Sequence, residues 1–445
     1  MSSLRAPLVL QRRIGHGVVF DRARGVHRRV DLDELALLLA LRDDGVAGHV
    51  AADVVDAWPD RDRARAIVQA LAGAGAVFAR GRLLADVAPD HDDVVDPPLL
   101  VHLEIHGACP LRCTHCFAGA LPRQETPLSR DELRALFAEL WSLGATRLSL
   151  TGGEPLLRRD LYEIVDDAAQ AGLFVTLTTS GVTIDDDHAR ALAARLHDGR
   201  LGWLSVSLEG PDAARNDVVR GAGVFDAVVA RLAHLRAYDA PFAVAFTVRP
   251  ALVPHVVACA HLARAVGASG AVFRPLYPTG IAARDPSLWP SRADWLQALA
   301  SLRTLNDDDH DAAAAPIDDF SVVFERDDDE DDGPACDAGR RQASVSLGGR
   351  VSPCSFLGDA FSGPSVRDHG FFALWRDHAV FRAVRDAQAD RAGGYDGGCR
   401  ARALAVSGSA HAPDPWRASS DAVAARARRS SRALPIVASA PGEDR

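Results

Sequence analysis

The sequence predicts an α/β protein: a parallel sheet built from six βα units, preceded by a small mixed unit and followed by a glycine- and proline-rich one. Three observations carry this reading. Strand-like and helix-like runs alternate strictly from about Leu99 to Leu305, which is the pattern of a parallel sheet, either doubly wound or curled into a partial barrel. Three strand candidates followed by three helical stretches stand ahead of that run, and three of the seven cysteines, Cys336, Cys354 and Cys399, stand behind it.

The first unit, residues 1–95, opens with LVLQRRI, GVVFDRA and GVHRRVD as strands and continues with LDELALLLALRD, GHVAADVVDAWP and RDRARAIVQALAGAG as helices. A hairpin in AVFARGRLLADV closes it, an order that fits an N-terminal winged-helix domain, and the Pro/Asp-rich APDHDDVVDPP links it onward. In the second unit, residues 96–305, the strands LLVHLEI, RLSLTGG, FVTLTTSG, GWLSVSLEG, FAVAFTV and AVFRPLYP are each followed by a helix. Residues 306–333 are dominated by acidic runs around one short strand candidate, FSVVF, and read as a solvated linker. Residues 334–417 form the third unit, and residues 418–445 an Ala/Arg/Ser-rich helix and tail.

Composition narrows the function classes. In 445 residues, 48% are apolar and 25% charged, ordinary for a well-cored chain. Every one of the 50 basic residues is arginine, a compositional bias that carries no function. The net charge of −10 gives no footprint for nucleic acid or an anionic membrane, and no apolar run suits a signal peptide or a membrane span. A cytoplasmic location is expected. An odd cysteine count argues against a disulfide framework and for reduced thiolates. Cys259 lies on a helical apolar pattern and is expected in the core.

The stretch CPLRCTHC places Cys109, Cys113 and Cys116 on one loop after the first strand of the central run, where functional residues of such folds collect. Three thiolates can hold three irons of a 4Fe-4S cubane and leave the fourth open, the mark of a catalytic metal site. Three core cysteines or part of a zinc site are the alternatives, although no second ligand pair lies nearby.

With this CxxxCxxC, the region from Leu99 to Leu305 resembles the radical SAM superfamily. The resemblance implies a partial (β/α)6 TIM-like barrel whose 4Fe-4S cluster binds S-adenosylmethionine at its open iron. TGGEP, with Gly152, Gly153, Glu154 and Pro155, is similar to the family's GGEP motif and would receive the methionine amino group. Ser180 in TTSG stands where the family often has a polar residue near the ribose or carboxylate. SLEGPDAARNDVVRG resembles the family's SLDGP…HDxxRG, matching at Ser207, Glu209, Asp217 and Arg220, with Asn216 in place of the usual His.

Downstream, CDAGRRQASVSLGGRVSPC suggests a β-hairpin that brings Cys336 and Cys354 together. With Gly349, Cys354 and GGCRARALAVSGSAHAPDPW it resembles the SPASM extension of peptide-modifying members. Several family cysteines are missing: Tyr395 stands where one precedes DGGC, and Arg417 where the last one falls. The survivors imply a SPASM/twitch-like iron-sulfur domain with one auxiliary 4Fe-4S cluster on Cys336, Cys354 and Cys399; a decayed, cluster-free domain is the alternative. Sulfatase-maturing relatives have an aspartate where Ser355 follows Cys354, so the base candidates here are Asp359 and Tyr395.

The front unit, through GHGVVFDRARGVHRRVDLDE, is similar to the PqqD-like leader-peptide recognition domain. Together these resemblances imply a peptide maturase that generates a 5'-deoxyadenosyl radical from S-adenosylmethionine. Its expected partners are a precursor peptide and an external electron donor such as a flavodoxin or ferredoxin. A tetrapyrrole enzyme of haem biosynthesis, sharing the CRARA…DPW ending, is the second reading, and a non-catalytic peptide-binding or cluster-sensing regulator the third.

Overall fold

Residues 8–30 form three antiparallel strands, β1 (Leu8–Arg13), β2 (His16–Asp21) and β3 (Val26–Val30). Gly15 makes the first turn at φ 72°, a region that any side chain would strain. Helices α1 (Leu32–Arg42), α2 (Ala51–Ala57) and α3 (Arg61–Gly73) follow, and Leu35, Leu38 and Leu41 of α1 bury against Leu10 and Val19. The expected hairpin forms as β4 (Phe78–Ala79) and β5 (Arg82–Leu83). Its continuation differs from expectation: β6 (Ala85–Val87) leaves the hairpin and pairs in parallel with β1, giving the sheet order β3-β2-β1-β6. The computed structural model describes residues 6, 8–22, 25–42, 51–73, 78–79, 82–83, 85–88, 95–119, 124–307, 321–324 and 336–417.

The six βα units appear in the predicted order: β7 (Leu100–His106), α4 (Arg130–Ser142), β8 (Arg147–Gly152), α5 (Leu161–Ala171), β9 (Phe174–Thr179) and α6 (Asp186–His197). They continue with β10 (Trp203–Ser207), α7 (Ala213–Arg220), α8 (Val224–Ala237), β11 (Ala243–Val248), α9 (Val256–Ala265), β12 (Gly270–Pro275) and α10 (Arg292–Asp307). Local chemistry starts the helices where it should. Ser129 and Glu132 form a reciprocal capping box on α4, and Asp185 and Asp212 cap α6 and α7. Along each strand alternate residues, such as Val101, Leu103 and Ile105 on β7, join the core between sheet and helices, where Cys259 is also fully buried.

The sheet is curled. Six strands from β7 to β12 laid flat would separate their outer members by about 24 Å, five spacings of about 4.8 Å. Yet the backbone N–H of Ile281, just after β12, donates to the carbonyl of Cys116, just after β7, at 2.9 Å. Arg274 of β12 also acts electrostatically on His102 of β7, so the strands themselves, and not only their loops, curl toward each other.

Two further strands extend this sheet at its edges. β13 (Ser321–Phe324), the FSVVF candidate, pairs in parallel with β12, so the acidic stretch contains a strand of the main sheet. β14 (Gln342–Val345) pairs in parallel with β7, and β15 (Val351–Ser352) returns antiparallel to β14 as the expected hairpin. Both additions satisfy edge N–H and C=O groups that a six-stranded sheet would leave open. The rest of the acidic stretch from residue 308 and the expected helix and tail from Ala418 lie outside the described residues.

Helices α11 (Phe371–Asp377), α12 (Ala379–Arg385), α13 (Ala387–Gly393) and α14 (Arg400–Ser407) complete the C-terminal unit. It is fastened to the barrel by polar contacts over long sequence separations. The Glu139 carboxylate of α4 accepts from the N–H groups of Phe371 and Phe372 at 2.9 Å each, capping α11. The Arg367 guanidinium meets Glu132 at 2.6 Å, and the fully buried Trp375 donates to the Asp96 carbonyl at 3.0 Å.

The N-terminal unit docks where β8 and β9 begin. Gln11 donates to the Gly144 carbonyl at 3.0 Å, Arg22 to that of Gly172 at 3.1 Å, and Phe20 packs edge-on against Phe174. It therefore covers the pole opposite the one where the strands end. Among the described residues no helix is long and apolar enough to cross a membrane.

Candidate active site

β7 ends in the loop that carries Cys109, Cys113 and Cys116, all half-buried. The loop is held at several points: Thr114 N–H donates to the Val219 carbonyl at 2.9 Å, and the Cys116 carbonyl accepts from Ile281. Gly152 and Gly153, after β8, allow close approach to the start of the loop. A Cβ on Gly153 would stand 2.2 Å from the Ala108 carbonyl oxygen and one on Gly152 2.6 Å from that of His106, where Gly152 also adopts φ 140°. The Glu154 N–H donates to Ala108 at 2.7 Å, locking the two loops together.

Glu154 is completely buried, and its carboxylate is a hub. It accepts from Leu156 N–H at 3.1 Å, Thr179 hydroxyl at 2.7 Å, Ser180 N–H at 2.7 Å, and the Ser180 hydroxyl. Pro155 starts the short helical turn that Glu154 caps. Ser180 is thus oriented by Glu154, and the chain after β9 is tied to the chain after β8.

Glu209 plays the same part after β10. Its carboxylate meets His115 at 3.1 Å and accepts from Thr247 N–H and hydroxyl at 3.3 and 3.2 Å, while Arg249 donates to its carbonyl. Although burial opposes ionisation, His115, Arg220 and Arg249 hold its pKa below the usual carboxylate value. Asn216, fully buried, accepts from Glu209 N–H at 2.9 Å and donates to Asp217. Arg220 is a strut, donating to the carbonyls of Ser207 and, at 3.1 Å, Ser180. Its Nε is shielded from solvent and has no partner among the described residues.

The donor chemistry fits an iron-sulfur cluster. Burial, with neighbouring acids and thiolates, pushes the Cys113 thiol up to about 11 and Cys109 upward too, against the pull of Arg220. A cysteine nucleophile needs the opposite shift, whereas metal coordination deprotonates a thiol outright. Among the described residues no three His, Cys, Asp or Glu side chains converge to hold a single metal ion. Cubane ligands sit on different irons and need not converge. The orphaned Arg220 Nε supplies a cation beside the thiolates.

The second group of cysteines gathers from three segments. Cys336 precedes β14, Cys354 follows β15 and Cys399 starts α14, yet all three belong to one apolar cluster with Ala338, Leu357 and Val384. Each sulfur faces a backbone N–H: that of Phe356 for Cys354 at 3.4 Å, those of Arg400 and Ala338 for Cys336, and that of Arg402 for Cys399. Burial raises the Cys336 and Cys399 thiols, and Arg400 and Arg402 oppose it. Such hydrogen bonds and cations stabilise bound thiolates.

Of the base candidates, Asp359 is solvent-exposed at the start of a short turn. Tyr395 lies beside Cys336 under the Arg400 guanidinium, 3.8 Å from its ring centroid, and donates to the Gly398 carbonyl at 2.8 Å. Burial raises its phenol well above the ordinary value. The two cysteine groups are bridged by aromatics: Phe117, next to Cys116, meets Phe356 edge-on at 6.1 Å, and Tyr277 stacks on Phe356 at 4.5 Å. His115, Thr179, Thr247, Arg249, Phe356 and Tyr277 were missed in the sequence; only His115, inside CTHC, carried a local signal.

A curled parallel sheet with three thiols on the loop after its first strand, and carboxylate hubs on the following loops, defines a cluster-binding α/β barrel. The model of the Radical SAM superfamily matches residues 103–256. Mycofactocin maturase MftC of Mycobacterium ulcerans (strain Agy99) is 30% identical over 343 residues, covering 72% of this chain and 88% of that protein. The AdoMet-dependent heme synthase of Methanosarcina barkeri (strain Fusaro / DSM 804) is 29% identical over 350 residues, covering 73% and 97%. Among solved structures, Streptococcus suis SuiB bound to precursor peptide SuiA superposes with a TM-score of 0.62 over 87% of this chain and 92% of that one, at 13% identity. The chain belongs to the radical SAM superfamily, whose members use a 4Fe-4S cluster and S-adenosylmethionine.

Proposed function

We propose that the protein oxidatively matures a ribosomally made peptide, and that Cys109, Cys113 and Cys116 ligate the cluster that binds S-adenosylmethionine. The observation that carries this reading is the second thiol group, Cys336, Cys354 and Cys399, gathered behind an aromatic bridge to the first. A second redox centre so placed suits a net oxidation such as a crosslink. With the cofactors bound, reductive cleavage of S-adenosylmethionine supplies a 5'-deoxyadenosyl radical that abstracts hydrogen from substrate.

The chain's own residues prepare that chemistry. The Gly152–Gly153 backbone and Ser180, held by Glu154, shape the cofactor's place, and Arg220 fixes the ends of β9 and β10 beside the thiolates. Residues 334–417 serve as a SPASM/twitch-like domain with one auxiliary 4Fe-4S cluster. Residues 1–95 serve as a PqqD-like winged helix that binds the leader as an added strand, main-chain hydrogen bonds giving affinity. Residues 96–305 are the catalytic barrel, 306–333 a linker and 418–445 a tail. MftC is named a maturase, and SuiB was solved with its precursor peptide; both support the peptide reading.

Anaerobic reconstitution tests it. About eight irons per chain, reductive formation of 5'-deoxyadenosine, and loss of hydrogen from a precursor peptide encoded beside the gene, read by mass spectrometry, are the expected results. The similarity to a heme synthase supports a second reading, a tetrapyrrole substrate, which modification of a propionate side chain in the same assay would establish. Iron without cleavage of S-adenosylmethionine would leave only a regulator.

A further inference from the structure

The loop that carries the first three cysteines has two sides. Cys109, Leu111, Cys113 and His115 are half-buried, whereas Pro110, Arg112 and Thr114, which alternate with them, are exposed. One side holds the thiols and the other meets solvent, with a single thickness of chain between. Helix α7 extends the outer side. The Thr114 N–H donates to the Val219 carbonyl at 2.9 Å, which ties the loop to a helix whose Ala214, Arg215 and Val218 are exposed.

A single exposed valine is ordinary. Val218, at 74%, is the most exposed large apolar side chain among the described residues, and it is the company it keeps that matters. The chain carries a net charge of −10, yet the loop from Cys109 to Gly119 contains no acidic residue. Arg112 folds its guanidinium back on the carbonyls of Cys109 and Leu111, at 2.7 and 2.8 Å, and no described carboxylate meets it. On α7, Asp217 is engaged by Asn216 and by the N–H groups of Gly223 and Phe225, while Asp212 caps the helix and pairs with Arg215. Loop and helix together offer an apolar centre, cations at its rim and no unengaged carboxylate.

We propose that this outer side, Pro110, Arg112 and Thr114 with Ala214, Arg215 and Val218, is the docking surface for an acidic one-electron carrier protein. This rests on the reading of Cys109, Cys113 and Cys116 as cluster ligands. Reductive cleavage of S-adenosylmethionine takes up one electron, and the carrier supplies it: its reduced flavin or iron-sulfur group is oxidised by one electron, the group held by the three thiolates is reduced by one, and no atom changes place. A small apolar contact rimmed by cations suits such an encounter, which is brief and steered by opposite charge. The thin loop lets the two redox groups approach without any rearrangement of the barrel.

Anaerobic stopped-flow reduction of the reconstituted full chain tests the surface, with flavodoxin hydroquinone, an acidic protein donor, set against reduced methyl viologen, a small cation. The flavodoxin rate is expected to fall as salt rises. Val218→Glu and Arg112→Glu should each lower it at least about tenfold, and neither should slow methyl viologen. The same charge placed by Val406→Glu, at a 60% exposed side chain on α14, should leave both rates unchanged. Val218 packs against nothing on the loop side that α7 needs for folding, so its variant, verified by iron content and melting temperature, keeps the test valid if Arg112→Glu disturbs the loop. No reduction by flavodoxin, a rate indifferent to salt, an equal loss in Val406→Glu, or equal slowing of both donors by Val218→Glu overturns the surface. The measurement uses no substrate, so its failure leaves peptide maturation, read by mass spectrometry, standing. A chain that binds no iron at the three cysteines would instead sink the reading of the site itself.

Discussion

The two groups of cysteines solve different problems with the same number of thiols. Cys109, Cys113 and Cys116 come from one loop, are half-buried, and have beside them an arginine Nε and a His115 Nδ1 with no partner among the described residues. Cys336, Cys354 and Cys399 come from three segments and sit in an apolar cluster, where each sulfur has a backbone donor and the nearby arginines are paired with Asp390 and Asp414. A site that must accept a ligand keeps polar atoms in reserve. An auxiliary cluster of the kind proposed, which only stores or passes an electron, would need none.

Substituting one cysteine from each group tests the contrast most severely. Cys113→Ala and Cys354→Ala are each expected to lower iron by about four per chain. Cys113→Ala should also abolish 5'-deoxyadenosine formation, whereas Cys354→Ala should keep it and lose the oxidised product. Equal effects of the two variants on S-adenosylmethionine cleavage would erase the distinction.

A smaller effect is expected at Asn216. Replacing it by Ala strands the buried Glu209 N–H and removes a donor to Asp217, a cost of about 1–3 kcal/mol visible in denaturant melts. Since Glu209 links the loops after β7, β10 and β11, affinity for S-adenosylmethionine should fall with stability.

Next in size is a pH effect at the seam between barrel and C-terminal unit. The Arg367 guanidinium, followed by the Ser129 N–H, lowers the Glu132 carboxyl to about 2. A depressed folded-state pKa stabilises above the unfolded value and loses that stabilisation as pH falls toward 2. Melting temperature should therefore drop over this acid window in the native chain, and drop less in Glu132→Gln.

Smallest is Tyr395→Phe, which removes the hydroxyl in contact with Cys336. With a less polar shell around that sulfur, the second centre should titrate at a more negative potential by electron paramagnetic resonance, with iron content unchanged.

How far these features were legible follows from their range in sequence. The Cys109 loop, the GGEP turn and the six βα units are written in short, contiguous patterns, as are the capping residues Ser129 and Asp185. The hairpin between Cys336 and Cys354 was visible from alternation about Gly349, but its attachment to β7 was not, because a parallel edge pairing across some 240 residues leaves no local trace. FSVVF was recognised as a strand, yet its acidic flanks hid its membership of the main sheet. Glu154 was named for its motif, but the sequence could not show that Thr179 and Ser180 occupy its oxygens.

The docking of the N-terminal unit at the starts of β8 and β9 sets a minimum reach. β8 is six residues long, about 20 Å of extended chain, and the cysteine loop lies beyond its far end. A peptide held on that unit must bring its reacting residue past the length of the barrel. With about 3.3–3.6 Å per residue, a spacer of fewer than roughly six residues between anchor and target cannot span the distance. On the proposed reading of that unit as the leader's anchor, the fold would act as a ruler, and residues in a precursor too near its anchored segment would be spared by length alone, whatever their chemistry.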